Sequence, residues 1–196
     1  MPWEGDSLGY LVLPWFRTCV LLWTRSRTSF RNLSGSCGLL RPALFVVFIG
    51  LFAALVANLL FIWSACEYAD GSLERMVPFL RLASVRLMRS LLWASVAPLC
   101  VAALCHLSGK MFCVPMGSFR MSFRATAYAM GAVVPLVLIP FIGTWVATFS
   151  FAGLLVVGFS ECHRCGIRSA AFSTSILLCG GSLVTAILRI LAAVLM

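Results

Sequence analysis

Apolar residues in this chain come in long uninterrupted blocks, separated by short basic or polar segments. The blocks cover about residues 39–63, 87–107, 122–139, 141–160 and 170–196. Each is near the ~20 residues a helix needs to cross ~30 Å of hydrocarbon. The pattern predicts an all-α fold: a polytopic membrane protein, a bundle of five transmembrane helices. The third block contains Pro135, a kink that neighbouring helices can accommodate. It ends at Pro140 and Gly143 with the next block following at once, which predicts a tight turn between two crossings.

Ahead of the first block, residues 15–31 alternate differently. Trp15, Cys19, Trp23 and Phe30 fall roughly on one helical face, and Arg17, Thr24, Thr28 and Arg31 on another. That pattern predicts an N-terminal interfacial amphipathic helix. A sixth crossing is the competing reading. Arg17, Arg25, Arg27 and Arg31 oppose it, because a central Arg costs about 2.5–3.5 kcal/mol on insertion scales. The expected organisation is a short cytoplasmic arm, 1–38, and a transmembrane domain, 39–196. The opening MPWEGDSLGY has no basic n-region, and Pro14 and Arg17 interrupt the apolar run behind it, so a cleaved signal is not expected.

Composition agrees with the blocks. Of 196 residues, 62% are hydrophobic, more than a soluble fold of this length can hide. The net charge of +9 sits mainly in Arg flanking the apolar runs, which favours anionic lipid headgroups over nucleic acid as partner. With the N-terminus inside, ten Lys/Arg are cytoplasmic (Arg17, Arg25, Arg27, Arg31, Arg41, Lys110, Arg120, Arg124, Arg164 and Arg168) against Arg75, Arg81, Arg86 and Arg89 outside. The positive-inside rule therefore predicts N-in, C-out. The four outer Arg suggest a second interfacial helix over 80–90. Small residues hint at close packing: Thr144, Thr148 and Ala152 in the fourth block, Ala125 and Ala129 in the third, and Gly180–Gly181 in the fifth.

One stretch carries a family likeness. Gly117–Ser118–Phe119 is followed by Arg120, Phe123–Arg124 and Tyr128, and then by Pro140–Phe141–Ile142–Gly143. Further on come Gly158, Cys162–His163 and Ala170–Ala171, with Arg41–Pro42 before the first block. This order resembles the Yip1 family of multi-spanning membrane proteins, and the chain looks most like its prokaryotic type. The resemblance implies a non-enzymatic membrane scaffold or trafficking-type factor, in the cytoplasmic (inner) membrane, that binds partners or lipids, other membrane proteins or its own copies. Rab-type GTPase binding is not carried over.

Candidate chemistry is sparse. Cys162-His-Arg-Cys165 is a C-x-x-C pair, the spacing with which two thiolates grip zinc or cycle with a disulfide. Cys113 and His106 fall on the same predicted side and could complete a four-ligand set, against which stands the absence of a second C-x-x-C. No cofactor is expected. The nine cysteines, several within apolar runs, read as small apolar residues rather than a disulfide framework. Arg120, Arg124 and Tyr128 share a face that suits headgroup anchoring or docking. Asn58 reads as an interhelical hydrogen bonder and, with Arg189, as the basis of an alternative transporter reading. No acid, base and nucleophile converge by motif, so no enzyme is expected.

Overall fold

The computed structural model describes residues 12–33, 38–68, 73–111, 117–176 and 178–179. Among the described residues there is no strand. Helices α1 (Val12–Thr24) and α2 (Ser26–Arg31) precede α3 (Leu40–Tyr68), α4 (Leu73–Met111), α5 (Phe119–Val133) and α6 (Gly143–His163). A 3-10 segment, Val134–Leu138, extends α5, and residues 167–176 are again helical. Four helical stretches are long and apolar enough to cross a membrane: Leu40–Glu67, Glu74–Met111, Phe119–Leu138 and Gly143–His163. They answer to the first four expected crossings. Most of the expected fifth, with Gly180, Gly181 and Arg189, lies outside the described residues.

α3 and α4 form a long antiparallel pair. Gly50 abuts Ala94, the Phe61 and Phe79 rings lie 6.1 Å apart, and the Arg86 guanidinium sits 4.6 Å over Phe61. α4 has 39 residues, so it is about 58 Å long, well beyond the hydrocarbon thickness. The separate basic segment expected over 80–90 is part of this one helix. Pro78 lies near its start, and the helix also runs through Pro98.

α5 is the hub, packed against α1, α3, α4 and α6. Its span is 61% buried, against 17% for α4. Ala125, Ala127, Ala129 and Ala132 let neighbouring backbones approach, as membrane helices require when no hydrophobic effect drives them together. Of the small residues singled out from sequence, Ala125 and Ala129 are indeed interior. Thr144 and Thr148 are not: both are exposed, and Thr148 bonds to Thr144 O within its own helix. That row faces away from the bundle.

The α-helix of the third crossing stops at Val133, and Pro135 lies in the tighter 3-10 turn that follows. The chain then reverses at Pro140–Gly143. Ile142 N–H bonds to Pro140 O at 2.7 Å across Phe141, whose φ of 64° is a left-handed, sterically costly value for an aromatic residue. Gly143 packs so near Leu136 O that a Cβ would collide with it.

The N-terminal segment corrects one expectation. It is two helices, broken at Arg25 (φ −137°, ψ 46°), rather than one. The facing is patterned only in part: Cys19 and Phe30 are buried, Trp15 is half-buried, and Trp23 is exposed together with Arg17, Thr24, Thr28 and Arg31. Trp23 Nε1 donates to Ala132 O at 3.2 Å, and the Trp15 ring lies 5.9 Å from Phe52. α1 thus leans along the bundle and covers α5. Phe30 seats in a notch at Gly158, where any Cβ would come within 3.1 Å of its ring.

Candidate functional site

The end of the bundle where α4 finishes, α5 starts and α6 finishes holds the densest polar network in the described residues. The protein has two histidines, and both converge on Ser122. Ser122 Oγ lies 2.8 Å from His106 Nδ1 and 3.0 Å from His163 Nε2. The backbone N–H of Gly117 donates to His163 Nδ1 at 2.9 Å. Ser122 and His163 are buried, and His106 is partly exposed. Aromatic rings pack around them: Phe119 stands edge-on to His106 at 5.7 Å, and Phe159 lies 5.3 Å from His163.

Hydrogen-bond direction fixes the protons. An amide N–H can only donate, so His163 Nδ1 carries a lone pair, and the neutral ring carries its proton on Nε2. That proton goes to Ser122 Oγ, and the serine hydroxyl is then free to donate to His106 Nδ1. With His106 in its Nε2–H tautomer the relay runs one way, from Gly117 through His163 and Ser122 to His106. In this arrangement no ring lone pair points to an open position, so the convergence is a hydrogen-bond relay rather than a metal pocket.

The candidate zinc ligands within the described residues do not converge. Cys162 Sγ faces Phe30 O at 3.8 Å, and Cys165 Sγ faces Phe159 O at 3.7 Å, so the two thiols turn to different carbonyls. His106 is engaged by Ser122, and Cys113 lies outside the described residues. No group of three or more His, Cys, Asp or Glu that could hold a metal occurs among the described residues. Burial raises the Cys165 thiol above its ordinary range.

Beside the relay lies a cavity of about 710 Å³ between α2 and α6. Arg31, Glu161, Arg164 and Ser160 are the polar side chains of its wall, and Phe30 and Met121 line it too. Arg31 Nε donates to Glu161 Oε2 at 3.1 Å, and Ser160 Oγ donates to Cys165 O at 2.9 Å. Arg164 takes a left-handed conformation, φ 52°, that ends α6 and turns the chain. Around this end Arg27, Arg31, Lys110, Arg120, Arg164 and Arg168 are all exposed. Glu161 is the one acidic residue at this end among the described residues, and Arg31 already holds it.

The family-like motif is divided by the fold. Gly117, Ser118, Phe119 and Arg120 belong to the relay end, with Ser118 the N-cap of α5. Pro140 and Gly143 form the turn after the 3-10 segment, at the opposite end of α5. Between them Phe123 and Tyr128 are buried, and Tyr128 lies 5.0 Å from the Phe45 ring. Arg120 and Arg124 part company. Arg120 is exposed, whereas Arg124 is 1% exposed, near enough to Cys162 for its charge to act there. A single Arg120–Arg124–Tyr128 headgroup patch therefore does not form. Asn58 also differs from expectation: its amide donates to Ala54 O of its own helix at 2.8 Å, not across to α4.

The relay was missed by sequence reasoning because its members are 16 and 41 residues apart. The available signal was that both histidines end apolar blocks predicted to finish on the same side. No protein-family model, curated protein or solved structure matches this chain.

Proposed function

We propose that this chain is a non-enzymatic, multi-pass membrane protein that organises the bilayer surface by binding anionic lipid headgroups at the α2–α6 cavity. The observation that carries the reading is the basic collar around that cavity: among the described residues, six exposed Arg and Lys with a single acid, itself ion-paired. Such a collar draws anionic headgroups at about 1 kcal/mol per basic residue near the surface. The cavity supplies a polar recess with Arg31 and Arg164 in its wall. By the positive-inside rule this end faces the cytoplasm, with α2 meeting the membrane boundary there. The chain is read as Yip1-like on the order of its motifs, in a prokaryotic inner membrane, with its own copies or other membrane proteins as further partners.

The test is lipid binding by purified protein in nanodiscs of zwitterionic lipid doped with phosphatidylglycerol. Salt-sensitive enrichment of the anionic lipid around the protein is expected, falling several-fold in Arg31→Ala/Arg164→Ala. Equal enrichment by wild type and variant would sink the assignment of the cavity.

A further inference from the structure

We propose that His163 is a proton-operated latch that ties the Gly117 backbone, at the start of α5, to the end of α6. The inference stands on the relay geometry alone and does not need the collar to bind lipid. With the ring neutral, Nδ1 accepts the Gly117 N–H at 2.9 Å and Nε2–H donates to Ser122. A second proton has only Nδ1 to occupy. There it sets N–H against N–H at that same distance, so the charged ring and the closed latch exclude one another.

His106 is not equivalent. Its facing atom is also Nδ1, but its partner is a hydroxyl. If His106 gains a proton, the Ser122 O–H rotates away, and the oxygen accepts from both rings, using its two lone pairs. Protonation of His106 is absorbed by a rotation. Protonation of His163 is not, because an amide has no second orientation. The two histidines therefore divide into a tolerant member and a sensing member.

The surroundings make the latch consequential. His163 sits between Cys162 and Arg164, both in the cavity wall, and Ser122 follows Met121, which lines it too. The titratable and charged groups about the ring are His106 and Lys110 from α4, Arg120 and Arg124 from α5, and Glu161, Cys162 and Arg164 from α6 and its end. Arg31 of α2 holds Glu161. With that carboxylate already committed, an imidazolium formed at His163 has no free counter-ion among these groups. Protonation of the ring opens the latch and releases the Gly117–Ser118 lead-in to α5 from the end of α6.

Hydrogen exchange on the full-length protein in nanodiscs reads the latch at its own atom. Exchange of the Gly117 amide, normalised for its intrinsic pH dependence, is expected to rise about tenfold on going from about pH 7.5 to about pH 3.5, acid enough to charge a buried ring, the worth of one lost hydrogen bond. His163→Asn keeps an acceptor near the Nδ1 position that cannot titrate, so its Gly117 protection should not change with pH. Wild-type protection that is the same at both pH values overturns the proposal, and so does acid loss of protection in His163→Asn equal to that of wild type. If that variant does not fold, nitrogen NMR of the histidine rings in wild type decides. An unprotonated Nδ1 with protonated Nε2 on His163 at neutral pH supports the latch, and the opposite tautomer refutes it.

Discussion

α4 and α5 cross the same bundle side by side and are built on opposite principles. α4 leaves Met88, Leu92, Trp93, Leu99 and Leu104 exposed. α5 buries Ser122, Arg124, Thr126 and Tyr128. In water that arrangement would be inverted, since the driving force there is removal of apolar surface from solvent. Here the apolar surface faces outward and polar or small side chains fill the middle, the arrangement expected when lipid is the solvent. The difference teaches where the chain's polar side chains are shielded: in the less apolar, small-residue helix, most of whose side chains see other protein.

The comparison can be broken by substitution, and the largest effect should come from Tyr128. It is fully buried against Phe45, so Tyr128→Ala should cost about 3–5 kcal/mol by large-to-small core precedent. Leu92→Ala, on the exposed face of α4, should stay within about 0.5 kcal/mol. Reversible unfolding in mixed micelles compares them; equal losses would mean that α4 is as interior as α5. Next comes Gly158→Val, which would press on Phe30 and on Ala125 Cβ, 3.1 and 3.3 Å from the added Cβ. Overpacking of this kind costs about 1–3 kcal/mol and should release α2, so increased protease cleavage near Arg27 and Arg31 is the readout. Ser122→Ala should cost less, about 0.5–2 kcal/mol, since hydrogen bonds in membrane proteins are individually modest. Its signature is a change at His106 and His163 in the ring NMR spectrum, with the fold retained. Glu161→Gln should cost less than the interior changes. Its partner Arg31 is 74% exposed, so loss of the pair should cost no more than about 1 kcal/mol.

Much of the architecture was legible. The apolar blocks at 39–63, 87–107, 122–139 and 141–160 each correspond to a helix, because length and hydropathy are enough to mark a crossing. The turn at Pro140–Gly143 was legible from its residues. The interior rank of α5 was only half legible: Ala125 and Ala129 pointed to it, but the Thr144–Thr148 row carried the same pattern and faces outward. A small-residue spacing says that two backbones can approach, not that they do. Arg124 was placed with Arg120 at a surface because helical spacing puts them on neighbouring turns. Spacing carries no information on depth, and one turn is enough to pass from exposed to buried. The relay was illegible for a different reason. It needs the ends of α4 and α6 to meet across α5, a three-body fact that no local pattern in the chain encodes.

The central claim is that α5 lies inside and α4 outside, and a lipid-dissolved photoactivated carbene tests it without altering a residue. Applied to the intact protein in bilayers, followed by peptide mass spectrometry, it should label the exposed α4 side chains Met88, Leu92, Trp93, Leu99 and Leu104 and leave Ala125 to Ala132 unlabelled. Labelling of the α5 segment at a level equal to that of α4 would contradict the account.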